Sequence, residues 1–217
     1  MKVPERTPES LRRLQSLTGV LPLGFFLLEH LAVNATALGG THSFERTVRA
    51  LDRTPLLHVL EIALIAVPLA IHTLIGVVLA TEVDDAGRLG GSDRRAAVQR
   101  LTGVLLLPYL IYHVWATRFS PEVLKGHADL IAIMGKQVAS IPGFAFHAAG
   151  VLLASYHFGH GLRSFAVRWG LARGAGAERA AERIGLALSI VLGGVGVASL
   201  AAFARHVQTT VAAAGLP

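Results

Sequence analysis

Not one of the 217 residues is cysteine. That absence excludes disulfides, thiolate nucleophiles and iron–sulfur ligation by the chain itself, so any such cluster working with it belongs to a partner. Charge is scarce as well: 16% of residues are Asp, Glu, Lys or Arg against 53% hydrophobic, and the mean hydropathy is +0.55. A water-soluble surface does not tolerate that balance. Acidic residues are almost missing from the apolar stretches, which contain only Glu29 and Glu61.

What is present is a set of five long apolar runs, roughly residues 16–38, 56–80, 99–118, 141–165 and 184–206. Each is near the ~20 residues that cross a ~30 Å hydrocarbon core as a helix. They predict an all-α polytopic membrane protein, with residues 1–217 forming a single integral domain of five transmembrane helices, four of them enclosing a core. Nothing is left over for a soluble domain. The first run is too long for a signal h-region and has no small-residue cleavage site, so it reads as an uncleaved span.

The net charge is +6 and the isoelectric point about 10.5. Basic residues gather at the ends of the runs rather than along one face, which excludes nucleic acid as a partner and points to lipid topology. Thirteen of the twenty stand on the side of the N-terminus: Lys2, Arg6, Arg12, Arg13, Arg88, Arg94, Arg95, Arg100, Arg163, Arg168, Arg173, Arg179 and Arg183. The expected orientation is N-terminus cytoplasmic and C-terminus outside. Glu82 to Arg95 and Arg168 to Arg183 are then cytoplasmic connections; Thr41 to Pro55 and Phe119 to Ser140 are outer ones that can lie against the membrane over a pocket.

Four of the runs carry one central histidine each: His30, His72, His113 and His157. At 1.5 Å rise per residue, His30 and His113 lie ~21 Å from the cytoplasmic face, whereas His72 and His157 lie ~24 Å from the outer face. This makes two pairs at levels ~15 Å apart along the membrane normal. Two facing imidazoles can hold one haem iron on its axial positions, and four-helix interiors house such cofactors. Interhelical hydrogen bonding is the plainer use of a membrane histidine, but four in matched pairs favour ligation. A short repeat supports equivalent helices: Gln15-Ser16-Leu17-Thr18-Gly19-Val20-Leu21 is echoed by Gln99-Arg100-Leu101-Thr102-Gly103-Val104-Leu105. Each copy precedes a histidine on its own helix.

Two further clusters follow from the same counting. Asp52, His58 and Glu61 fall at the outer end of the second run, where they can exchange protons with a bound quinone or simply fix the helix end. Eleven residues separate Glu61 from His72, ~20° around an α-helix, so both are expected on one face. On the inner side Gln15, Ser16, His160, Arg163 and Arg168 lie where haem propionates would meet hydroxyls and cations, although arginine there also follows from topology. His42, His127, His147 and His206 gather toward the outer face as interfacial residues. Glu29 adjoins His30 but diverges from it by ~100°, toward another helix or a proton path.

The segments Leu14 to Gly19, Glu29 to Asn34, Ala70 to His72 with Gly76, Tyr112 to Arg118, and Tyr156 to Gly170 resemble those of the dihaem cytochrome b subunit of bacterial succinate:quinone oxidoreductases. This is the single five-helix anchor of succinate dehydrogenases and fumarate reductases, and the resemblance runs from about residue 11 to 205. It implies two haems b, an inner one on His72 and His157 and an outer one on His30 and His113. It implies flavoprotein and iron–sulfur partner subunits, quinone as substrate with menaquinone favoured, and the bacterial cytoplasmic membrane as location. Gln15, Ser16 and Arg168 match inner propionate positions, and Asp52 resembles an acidic position near the menaquinone pocket. Ser155 stands where some members carry a glutamate used for proton movement, which leaves that route in doubt. The alternatives are the cytochrome b anchor of a formate dehydrogenase or hydrogenase, and a histidine-relay transporter. Arginine placement and the Gly161 to Gly170 segment weigh against the first, and the shortage of intramembrane carboxylates against the second.

Overall fold

A computed structural model describes residues 7–82, 94–124 and 130–213. Regular structure among them is entirely helical. The first run is a bent unit, α1 (Glu9–Val20) and α2 (Pro22–Ala35). Pro22 at the start of α2 has no N–H to continue the ladder and breaks the helix at Leu21. A 3-10 turn, Thr36–Gly39, ends at Gly40, whose φ of 96° suits a residue without Cβ. The outer connection then forms α3 (Thr41–Asp52) rather than a loop.

The second run is interrupted. It comprises α4 (Leu57–Glu61), a π turn (Ile62–Ala66) and α5 (Val67–Thr81). Pro68, at the beginning of α5, cannot donate to the carbonyl four residues back and clashes with it, so the chain widens to a π turn there. A π turn absorbs one extra residue and offsets the helix by about 100° from an unbroken register. The expectation that Glu61 and His72 share one face is therefore corrected.

The remaining elements are α6 (Arg94–Arg118), α7 (Pro121–Leu124), α8 (Leu130–Val138), α9 (Ile141–Arg168) and α10 (Gly174–Ala213). Ser140 caps α9, its Oγ accepting from the Gly143 N–H at 3.2 Å. Among the described residues three stretches are long and apolar enough to cross a membrane on their own: Glu9–Gly39, Leu57–Thr81 and Gly174–Thr209. A fourth is reached if α8 and α9, bent by 106° at their junction, count as one. The 25 residues of α6 are diluted by Arg94, Arg95, Arg100, Arg118 and His113 and do not meet that standard. Outward side chains are nonetheless apolar, with Leu74, Ile111 and Ile190 each about two-thirds exposed, the inside-out pattern of a lipid-facing bundle.

At the end of the bundle away from the N-terminus of α1, α3 and α8 fold over α10. Phe44, Ile131, Met134 and Val138 are buried with Leu200 and Phe203, the rings of Phe44 and Phe203 lying edge to face with centres 5.1 Å apart. Along the bundle α9 and α10 meet at Gly159 and Gly185, where a Cβ on either would strike the other's backbone. Small residues permit that backbone approach in a membrane helix pair.

Ion pairs collect at the opposite end. Arg168 Nη1 lies 2.8 Å from both Glu9 carboxylate oxygens, Arg163 pairs with Glu178 at 2.8 Å, and Arg95 with Glu182 at 3.1 Å. Arg12 pairs with Glu82, whose Oε1 also accepts from the Thr7 N–H at 2.8 Å. These tie together the starts of α1, α6 and α10 and the ends of α5 and α9. Of the basic residues expected on this side, Lys2, Arg6 and Arg88 lie outside the described residues, as does most of the Glu82 to Arg95 connection.

Candidate functional site

Four helices carry the four histidines: α2 (His30), α5 (His72), α6 (His113) and α9 (His157). The structure brings them together in the two pairs expected from depth. The His72 and His157 ring centres are 6.1 Å apart, those of His30 and His113 5.9 Å, and in each pair the ring planes are nearly perpendicular, at 88° and 84°. Two metal–nitrogen bonds of about 2 Å plus two half-rings span roughly 6 Å, so each pair is spaced to hold a single metal atom. Among the described residues no group of three or more His, Cys, Asp or Glu is arranged to hold a metal ion. The donor set thus suits a metal bringing its own equatorial ligands, as a porphyrin does, and offers little to a bare transported cation.

The His72–His157 pair is braced by hydrogen bonds. His72 Nδ1 lies 2.9 Å from the Gln15 carbonyl oxygen, which can only accept, so Nδ1 carries the proton and Nε2 keeps its lone pair. His157 Nδ1 lies 3.0 Å from Thr102 Oγ1, and the Gln99 amide lies 3.3 Å from Nε2. Glycines admit the rings: a Cβ on Gly19 would come within 2.5 Å of His72 Cε1, and one on Gly103 within 3.1 Å of His157 Cε1. The repeat therefore serves the histidine of a neighbouring helix, α1 holding His72 and α6 holding His157, rather than the one following it in sequence. Gln99 and Thr102 were missed by sequence reasoning, although the repeat that makes Gln99 the counterpart of Gln15 was the signal for them.

The His30–His113 pair sits among aromatic rings instead. Tyr109 stacks on His113 at 5.6 Å and 18°, and His113 Nδ1 is buried without a hydrogen-bond partner. His147 lies 6.2 Å from His113 by ring centres, enclosed by Tyr109, Tyr112 and Phe146. It is 1% exposed, its ring enclosed within the bundle. His42 is exposed as expected, and His127 lies outside the described residues. Ser155 is also 1% exposed.

The inner polar residues share one end. Ser16 Oγ donates to the Arg13 carbonyl at 2.9 Å and accepts the Trp169 Nε1–H at 3.2 Å. His160 Nδ1 is 2.9 Å from Gln99 Oε1. Arg163 and Arg168 line a cleft of about 380 Å³ with Glu9, Arg95 and Ser164. At the other end Glu61 pairs with Arg118 and lies 3.2 Å from His58 Nδ1, while Arg118 Nη2 is 3.2 Å from the same nitrogen. The expected Asp52–His58–Glu61 cluster is corrected: Asp52 ends α3, exposed and with no bond to the other two, and Arg118 takes its place.

No protein-family model and no solved structure matches the chain. Among curated proteins, the succinate dehydrogenase cytochrome b558 subunit of Bacillus subtilis (strain 168) is 35% identical over 194 residues, covering 88% of this chain and 95% of that protein. Similarity spread along nearly the full length of both is descent rather than a shared motif, and this chain belongs to the family of the succinate dehydrogenase cytochrome b558 subunit.

Proposed function

We propose that this chain is the membrane anchor and dihaem cytochrome b of a succinate:quinone oxidoreductase, spanning the bacterial cytoplasmic membrane five times with its N-terminus inside. The observation that carries the reading is the pair of imidazole couples, each spaced for one iron, on four different helices. Family membership supports it. His72 and His157 hold the inner haem b and His30 and His113 the outer one; bound there, the two haems supply one-electron transfer between a cytoplasmic iron–sulfur subunit and quinone.

The protein's part is to bind, orient and tune. The Gln15 carbonyl and the Thr102 hydroxyl take the Nδ1 protons of His72 and His157 and leave both Nε2 lone pairs for the metal, the Gln99 amide that now lies 3.3 Å from His157 Nε2 turning aside when the metal binds. Gln15, Ser16, His160, Arg163 and Arg168 offer donors to the inner propionates at the arginine-rich end, which the positive-inside rule places in the cytoplasm beside the flavoprotein and iron–sulfur subunits. At the outer end His58 and Glu61 hand protons to quinone, menaquinone by family resemblance, with Arg118 holding Glu61 in place. Dicarboxylate chemistry belongs to the flavoprotein.

The test is haem content and subunit composition of the detergent-solubilised complex. Two low-spin haems b per chain, co-purifying with a flavoprotein and an iron–sulfur protein, are expected, and His157→Ala or His72→Ala should remove one of them. Colourless material, or two haems retained in both variants, overturns the reading.

A further inference from the structure

The hydroxyl of Thr102 lies between the α6 backbone and the His157 ring. Its Oγ1 lies 3.0 Å from the Val98 carbonyl and 3.0 Å from the Gln99 carbonyl, one turn back along α6, and 3.0 Å from His157 Nδ1. A threonine has one hydroxyl proton, which can turn to the helix backbone or to Nδ1, so the other side of the ring decides. The Gln99 amide nitrogen, 3.3 Å from Nε2, can only donate, which requires a lone pair at Nε2. Nδ1 therefore carries the hydrogen, and Thr102 Oγ1 accepts it while sending its own proton to the backbone. Thr102 is 7% exposed, so no solvent competes for these bonds.

Its counterpart in the repeat behaves differently. Thr18 Oγ1 makes the same backbone bonds, 2.9 Å to the Leu14 carbonyl and 3.0 Å to the Gln15 carbonyl, but the proton of His72 is taken by the Gln15 main chain. Two copies of one segment thus fix two imidazoles by different atoms. The tautomer of His72 is set by backbone that no substitution removes; that of His157 is set by one side chain.

From this geometry we infer that Thr102 is a positioning residue that fixes the tautomer of His157 and tunes its strength as an axial ligand. The inference rests on the proposed haem ligation by His157. A hydrogen bond accepted from Nδ1–H makes the imidazole more basic and favours the higher charge on the metal it binds. Removing the acceptor weakens that donation and raises the reduction potential of the His72–His157 haem.

The experiment is a redox titration of the haem absorbance bands in the intact solubilised complex, with electron paramagnetic resonance of the oxidised low-spin signals. Thr102→Val and Thr102→Ala are expected to shift one haem midpoint upward and change its g-values while the other stays put; the alanine variant serves where valine hinders assembly. Thr102→Ser, which restores the acceptor, should return the potential to that of the unsubstituted protein, and Thr18→Val should leave both midpoints unchanged. Unaltered potentials in the valine and alanine variants overturn the inference, as does an equal shift in Thr18→Val, which would mark a helix-packing effect. Failure of the underlying reading looks different: the same haem then survives His157→Ala.

Discussion

Replacing Gly19 by alanine puts a methyl group where the His72 ring now lies. The added Cβ would stand 2.5 Å from Cε1 and 2.8 Å from Nδ1, whereas ordinary contact begins near 3.4 Å. The ring must retreat by most of an ångström, and His72 Nδ1 loses its 2.9 Å bond to the Gln15 carbonyl. A lost buried hydrogen bond costs about 1–1.5 kcal/mol and an overpacked core about 1–3 kcal/mol. Against these stands a gain of about 1 kcal/mol in helix propensity on replacing glycine. The net cost is about 1–3.5 kcal/mol, which converts to roughly a 5- to 300-fold weaker hold on the imidazole geometry. Gly103→Ala is the internal comparison: its nearest contact, His157 Cε1 at 3.1 Å, asks for a few tenths of an ångström. There the propensity gain offsets the strain, and a change within about 1 kcal/mol is expected. The assay is haem content by reduced-minus-oxidised difference spectra together with thermal stability of the solubilised complex. Full occupancy and an unchanged melting temperature in Gly19→Ala, or greater damage from Gly103→Ala, would refute the reasoning.

Three other substitutions test separate parts of the structure. Glu61→Gln should slow quinone reduction by roughly 100-fold, within the usual range of a lost proton-transfer group, while dye-linked succinate oxidation and the haem spectrum stay normal. Because Glu61 and Arg118 are partly exposed, the same variant should alter stability by less than about 1 kcal/mol. Burial would raise the Glu82 carboxyl, but hydrogen bonds from Thr7 and Arg12 prevail and hold it below the usual carboxylate range. Its contribution to stability is therefore complete above that range and disappears as pH falls through the lowered value. Proteolysis of the N-terminal segment should accelerate at that acid limit and be fast at all pH values in Glu82→Gln. Gly159→Val wedges α9 from α10 at the Gly185 carbonyl and Ser189. A large fall in melting temperature is expected, and tolerance of valine would show that the two backbones are not in contact.

Counting along apolar runs gave the depth of each histidine, because rise per residue is fixed once a segment is helical. It could not give azimuth. In a run such as 56–80 nearly every side chain is apolar, so no polar stripe reports which face turns inward, and the π turn ahead of Pro68 shifted the register unseen. Nor could the Gln-x-x-Thr-Gly repeat announce that packing sets each copy against the histidine of a neighbouring helix. Nothing local to His147 announces that Tyr109 and Tyr112 of α6 close around it together with Phe146. The Glu61–Arg118 pair joins residues 57 positions apart on different helices, which local sequence does not encode.

Helix α10 carries none of the four paired histidines, and its packing gives it another role. Because Gly159 and Gly185 let α9 and α10 touch main chain to main chain, the two behave as one splinted rod, and Gly159 is only two residues beyond His157. Rocking of α9 that would slide one imidazole against its mate must drag forty residues of α10 with it. Helix α10 is thereby a mechanical brace, holding inter-ring spacing steady against thermal jostling by the surrounding lipid.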